Sequence, residues 1–486
     1  MADDALAARL AGLSPAKLAL LERRLSNRHD ATRPTIPRRD PQEPVPLSFA
    51  QWRLWFLEQL QPGSHAWNTP IAARLTGPLD YSALRSALAI VVRRHSTLRT
   101  VFVAPGGKLE PRVVLKDQAV EVPVADVDSG DVERLVGEEV GRPFDLSADV
   151  MVRARVLRTG AEEHVLVLVA HHIACDGWSK GLLVSELCTA YDALCAGAEP
   201  VLPEMSIEYA DFSAWQRRWL TGDTLEQLVA YWRARLQGHA PSIELPTDRA
   251  RPARQAFHGA IEQVAVSAGL VDAATALGRE EGATLFMTMM AAFKALLHAY
   301  SGQEDVLVGS PAAMRNLPEL EPMIGFFANT LVYRTDLSGR PSFRALLARV
   351  RETALGALAH QDLPFEKIVE AVNPPRDPTR HPLVQVNLRV EGREPDVRLR
   401  GVGSKPLALD PGIARFDLAI ELGVTDDGLA GYLEYDAALF DRSTAVTLAR
   451  DFVEILEAGI ASPDRPLTAL APVRRIRARG KSTAIG

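Results

Sequence analysis

Apolar residues along this chain switch between two periods. In "LDYSALRSALAIVVRRHSTLRTVF", Leu84, Leu88, Val91, Val92 and His95 recur at helical spacing behind Asp80, which predicts an N-capped amphipathic helix with Leu98 beyond it. "EEHVLVLVAHHI" is a nearly continuous aliphatic run, the pattern of a strand covered on both faces. Leu183, Leu187, Ala190, Tyr191 and Leu194 then restore the helical period, with Ser179 as the expected cap. This alternation predicts α/β architecture. It also puts "AHHIACDGWS" on a tight loop between a buried strand and a helix.

The ends read differently. Residues 1–25 are expected to be an amphipathic helical segment interrupted at Pro15, and residues 26–46 are rich in proline and charge without a period, as a linker is. The main fold is expected as a first lobe over 47–240 and a second over 241–472, with a basic, patternless tail over 473–486. A faint internal repeat supports two lobes. "RPFDLSADVMVRARVL" from Arg142 resembles "ARFDLAIELGV" from Ala414, and aligning the residues after them puts Asp441 opposite Asp176, with Asp436 and Ala437 opposite the two histidines. On this alignment only the first lobe carries imidazoles, so one active site per chain is expected.

Composition narrows the classes. A chain of 486 residues with 47% hydrophobic content can bury a large core and is too long for one simple globule. A net charge of −6 supplies no field for nucleic acid. Cys175, Cys188 and Cys195 are an odd set without paired spacing, which fits a reducing cytoplasm better than a disulfide framework. Asp3 and Asp4 stand where a signal peptide carries positive charge, and no apolar run has bilayer-spanning length, so no membrane association is expected. The terminal "GKS" is no phosphate loop, because Arg475 stands where the first glycine is needed. Neither a Gly-x-Ser-x-Gly elbow nor a dinucleotide loop is present, which disfavours covalent hydrolase and dehydrogenase readings.

That leaves the histidine pair. A neutral imidazole can accept a proton at cytoplasmic pH. Strand alternation sends His171 and His172 to opposite sides, so one faces the reaction and the other packs; His172 is the better candidate for the reacting side. Divergent side chains and the absence of a His-Glu-x-x-His pattern disfavour a metal site. Asp176 either orients an imidazole or pairs with a distant arginine and holds the loop. Gly177, lacking a Cβ, permits close approach of substrate or backbone.

At these residues the chain resembles the condensation domains of nonribosomal peptide synthetases. "AHHIACDGWS" is similar to their His-His-x-x-x-Asp-Gly-Trp-Ser motif. "LSFAQWRLWFLEQL", "RRHSTLRTVF", "YADFSAWQ", "IGFFANTLVYR", "HQDLPFEKIVE" and "RDPTRHPL" resemble the family's other six motifs in order, from about Ser48 to Leu383. Trp52 departs from the polar residue often found there. The resemblance implies a V-shaped pseudo-dimer of two chloramphenicol-acetyltransferase-like lobes around a central tunnel. It also implies amide formation between a donor acyl or peptidyl thioester and an acceptor aminoacyl thioester. Two peptidyl carrier proteins deliver these on 4′-phosphopantetheine arms; no permanently bound cofactor is implied. It further implies His172, His171, Asp176 and Gly177 as catalytic-loop residues, Arg315 as the partner of Asp176, and Trp178, Ser179, Ser310 and Asn329 as structural or tunnel residues. Heterocyclising relatives replace the first histidines by aspartate, which is not seen here. An ester-forming relative and a carrier-docking module without catalysis are the alternatives. A monomer is expected, with the N-terminal segment as the candidate link to a larger synthetase.

Overall fold

In the computed structural model, the residues described are 35–470 except 105–111, 117–119, 239–241, 256, 376, 394–395 and 411. The N-terminal helical segment, most of the linker's first half and the basic tail lie outside them. The elements in chain order begin with α1 (Phe49–Leu60), β1 (Asn68–Thr76), α2 (Tyr81–Arg94), β2 (Thr100–Val103), β3 (Arg112–Leu115) and β4 (Val124–Asp126). Next come α3 (Val132–Gly141), β5 (Val152–Gly160), β6 (Glu163–His171), α4 (Gly177–Cys195), α5 (Tyr209–Trp219) and α6 (Gly222–Leu236). The second half holds β7 (Gly259–Ser267), α7 (Ala268–Glu280), α8 (Leu285–Ser301), β8 (Asp305–Ala312), β9 (Asn329–Asp336), α9 (Phe343–Ala359) and α10 (Phe365–Val372). It closes with β10 (Val386–Glu391), β11 (Gly403–Pro406), β12 (Leu418–Thr425), β13 (Gly428–Asp436) and α11 (Arg442–Ala461).

Two main sheets result, in the orders β11-β1-β6-β5-β4 and β7-β13-β12-β10-β8-β9. Four strands of each correspond. β1 and β7 pair antiparallel with β6 and β13, these pair antiparallel with β5 and β12, and β4 and β10 then add in parallel. Spacing matches too: β6 ends at His171 and Asp176 caps α4, while β13 ends at Asp436 and Asp441 precedes α11. The repeat read from the Phe-Asp-Leu segments is therefore a repeat of topology.

The division into lobes is not a clean cut at 240/241. β11, from the second half, pairs antiparallel with β1 at the edge of the first sheet. Ile324, Phe326, Val397 and Leu399 join the first hydrophobic core. Burying each of these side chains contributes on the order of 2 kcal/mol, so two crossing segments, around 324–328 and 397–407, tie the halves together.

Local chemistry accounts for the elements around the site. Asp80 accepts from Ala83 N at 2.9 Å and caps α2 as expected. Ser48 and Gln51 form a capping box at α1, with Gln51 N donating to Ser48 Oγ at 3.0 Å and Ser48 N to Gln51 Oε1 at 3.2 Å. β6 is buried from His164 to its end, as its aliphatic run requires. Among the described residues no single helix is long and apolar enough to cross a membrane.

Candidate active site at the end of strand β6

The cap of α4 is Asp176 and not Ser179. Asp176 has extended backbone and its Oδ1 accepts from Ser179 N at 2.9 Å, which starts the helix at Gly177 and leaves Ser179 in the first turn. Both residue types cap well; the carboxylate prevails because it has further partners. Its Oδ2 accepts from Phe327 N at 3.0 Å and Ala328 N at 3.2 Å, and Arg315 Nη2 lies 3.2 Å from Oδ1. The same Nη2 donates to Ser179 Oγ at 2.8 Å, and Ser179 Oγ donates to Gly325 O at 2.8 Å. Arg315 stacks over Phe327 at 3.9 Å and donates to Met323 O at 2.5 Å. The Asp176 carboxylate thus clamps the 324–328 crossing segment to the loop, and none of its hydrogen bonds goes to an imidazole.

The two histidines diverge. His171 is 1% exposed, accepts from Ile173 N through Nδ1 at 3.2 Å, and meets Phe144 edge-on at 5.7 Å. His172 is half-buried, with its ring 4.6 Å from Phe326 and 6.3 Å from Trp67, and its main-chain N–H donates to Trp67 O at 2.8 Å. Its Nδ1 is buried and finds no partner in another residue. Burial, with the positive charges of Arg415 and Arg53 behind it, pushes the His172 imidazole down to about 3. Burial, then His172 and Arg153, pushes His171 to about 3 as well. Both rings are neutral at physiological pH.

Gly177 is exposed at the start of α4, where the first N–H groups of a helix lack intrahelical partners. Trp178 is 47% exposed and donates from Nε1 to Glu321 O at 3.1 Å. Asn329 spends its amide on packing: Nδ2 donates to Gln361 O at 2.9 Å and Leu363 O at 2.8 Å, and Oδ1 accepts from Phe365 N at 2.9 Å. It also borders a cavity of about 190 Å³ shared with Arg53, Trp215 and Asp362. Ser310 is buried on β8, and no hydrogen bond joins it to the loop.

The remaining motifs brace the same crossing segment. Tyr209 OH donates to Phe326 O at 2.6 Å and lies 2.9 Å from Ser48 Oγ. Buried His95 accepts from Ile324 N at 3.3 Å and meets Glu186 of α4 at 2.8 Å. "HQDLPFEKIVE" is helical from Phe365, with Pro364 as the residue before the first turn. Sequence reasoning missed Trp67, Phe326, Arg53 and Arg415 as neighbours of His172. Phe326 and Arg53 stood within quoted motifs, and Arg415 within the repeat, but nothing local marks their apposition.

Comparisons with known proteins agree with this architecture. The Condensation domain family model matches residues 41–475. One of the linear gramicidin synthase proteins of Brevibacillus parabrevis is 44% identical over 435 residues, 88% of this chain and 6% of that protein. Phosphinothricin tripeptide synthetase PhsC of Streptomyces viridochromogenes is 41% identical over 486 residues, 96% of this chain and 44% of that protein. The chain therefore spans less than half the length of these relatives. Among solved structures, the X-domain from teicoplanin biosynthesis is 32% identical with a TM-score of 0.83, covering 90% of this chain and 99% of that one. A complex of that X-domain with OxyB gives a TM-score of 0.82. The first condensation domain of the CDA synthetase shares the fold, with a TM-score of 0.73 at 20% identity over 88% of this chain and 99% of that one. With a buried strand ending at His171 and followed by His172, an Asp176 clamp and a matching domain model over nearly all of the described fold, this chain belongs to the condensation-domain family of nonribosomal peptide synthetases.

Proposed function

We propose that the protein joins a donor acyl or peptidyl thioester to an acceptor aminoacyl thioester, forming an amide, with both substrates presented on phosphopantetheine arms of carrier proteins. The observation that supports this most is His172: a neutral imidazole, half-buried beside the segment that crosses between the lobes. A thioester is already activated, so most of the acceleration comes from holding amine and carbonyl in attack geometry. In this reading Nε2 of His172 accepts a hydrogen bond from the attacking amine and takes a proton as the C–N bond forms. A tetrahedral intermediate makes that transfer easy, because its nitrogen is far more acidic than the free ammonium. N–H groups at the start of α4, beginning at Gly177, are suited to the developing oxyanion. Asp176 and Arg315 act by shaping the loop. The carriers, and the larger synthetase that would hold them, belong to this proposal.

Single-turnover reactions with loaded donor and acceptor carriers, read by intact-protein mass spectrometry, test it. Wild-type protein should move the acyl group onto the acceptor carrier, and His172→Ala should not. A second reading, a docking module without chemistry, is favoured by the likeness to an X-domain solved in complex with OxyB. Carrier binding without transfer by any acceptor, amine or alcohol, would select it; transfer to an alcohol alone would select ester formation.

A further inference from the structure

One face of the second sheet is apolar and the other carries charge. Arg389 pairs in register with Glu421, Glu421 with Tyr432, and Ala419 with Glu434, so Arg389, Glu391, Glu421, Tyr432 and Glu434 share a face. The alternate residues Leu388, Ile420 and Leu433 are fully buried in the core. The polar face lies toward the histidine loop. Glu391 Oε1 is 3.3 Å from where a Cβ on Gly177 would sit. Arg415, just ahead of β12, donates to Ala66 O at 3.1 Å and stacks over Trp67 at 4.6 Å, and Trp67 flanks His172.

The carboxylates on this face are not equivalent. Glu421 is paired with Arg389 at 2.5 Å and accepts from Tyr432 OH at 2.8 Å, and Glu391 lies 3.5 Å from Arg389 Nε. Glu434 accepts one main-chain N–H, from Arg415 at 3.3 Å, and among the described residues it has no ion pair. It is partly buried and keeps some accessible surface on this face. The charged and titratable groups facing it are Glu421 on β12, Arg389 on β10, Arg415 ahead of β12 and Tyr432 on its own strand; β7 offers Ile261 and Gln263. Burial, then the charge of Glu421, pushes the Glu434 carboxyl up to about 7.

An acceptor amine arrives largely as an ammonium at neutral pH, since α-amino groups titrate at about 7.7–8.0. An ammonium has no lone pair with which to attack. An imidazole pushed down to about 3 is far too weak a base to take that proton, whereas a carboxyl near 7 is matched to it.

We propose that Glu434 binds the acceptor's ammonium group and receives its proton, so that His172 meets a neutral amine. This rests on the amide-forming reading above. The N–H bond breaks with its electron pair left on nitrogen, and the proton goes to a Glu434 carboxylate oxygen. That pair forms the C–N bond to the donor carbonyl, Nε2 of His172 takes the amine's second proton, and as collapse breaks the C–S bond the imidazolium passes that proton to the departing thiolate. Glu434 returns its proton to solvent.

The experiment compares two acceptor carriers in single turnover, one loaded with glycyl and one with aminooxyacetyl, whose alkoxyamine is already unprotonated at pH 6.5. For Glu434→Gln, the glycyl rate relative to the aminooxyacetyl rate should fall at least tenfold at pH 6.5 and recover at pH 9. Glu434→Asp should restore most of the ratio. Because the ratio is taken within one protein, it does not depend on how much of the variant is folded. Equal losses on both acceptors, or no change in the ratio while wild type makes amide, would overturn the role of Glu434 alone. No amide from wild type with either acceptor would overturn the amide-forming reading, and this proposal with it.

Discussion

Arg315 and Asp176, 139 residues apart in the chain, meet as a buried ion pair, with Nη2 3.2 Å from Oδ1 and side-chain exposures of 2% and 1%. Burial lowers the Arg315 guanidinium, and the Asp176 charge opposes that. Removing one member of such a pair strands the other without water. Asp176→Asn keeps a capping side chain at α4 but leaves Arg315 with main-chain carbonyls and Ser179 only. It should lose about 3–5 kcal/mol in urea unfolding. Arg315→Met combined with Asp176→Asn should cost clearly less than the sum of the two single changes; strict additivity would mean that the pair is not coupled.

The histidines should separate by what their loss affects. His172→Ala removes a half-buried ring just beyond the end of β6 and should lower single-turnover transfer by about 10²–10⁴, with a small shift in melting temperature. His171→Ala leaves the Ile173 N–H without its acceptor and opens a void against Phe144, which should cost about 2–4 kcal/mol of stability. A His171→Ala protein as stable as wild type would contradict the packing role.

What was legible in the sequence was local. Asp80 and the helical period after it define α2 because cap and helix lie within one turn of each other. The divergence of His171 and His172 follows from strand alternation. Ser179 was mistaken for the cap because the choice between it and Asp176 depends on Phe327, Ala328 and Arg315, some 140–150 residues away. β11 escaped notice because "GSKP" has neither alternation nor an aliphatic run; an edge strand with mostly exposed positions needs none. Nothing in the local sequence marks Glu434 on β13 or Arg415 ahead of β12, because only the apposition of the two halves brings them toward the histidine loop.

Gly325 tests the crossing segment directly. A Cβ there would collide with the Tyr209 ring and with Phe327, all of them packed between the halves. Its N–H and C=O both engage Ser179 Oγ, and its carbonyl accepts from Asp176 N at 3.1 Å. Gly325→Ala therefore has to displace the strand of chain that delivers Phe327 N and Ala328 N to Asp176. A loss of about 1–3 kcal/mol from overpacking is expected. Transfer activity should fall as well, since Phe326 packs on the His172 ring. Unchanged activity together with lost stability would show that the loop tolerates the displacement.

Acid should weaken the fold through its buried imidazoles. His171 and His172 are pushed to about 3, and His381, packed against Phe365 and Phe416, to about 4. An unfolded histidine titrates near 6.5, so between these values the unfolded chain binds more protons than the folded one. Stability then rises with pH across that window and is lost as pH falls below about 6.5. At pH 5 each such imidazole costs about 2 kcal/mol relative to neutral pH. His171→Asn retains an acceptor for the Ile173 N–H and removes one titrating ring. Between pH 7 and pH 5 its urea unfolding free energy should therefore fall by about 2 kcal/mol less than that of wild type. Equal falls would show that the His171 ring takes up its proton without unfolding, which its place between Phe144 and the Ile173 N–H forbids.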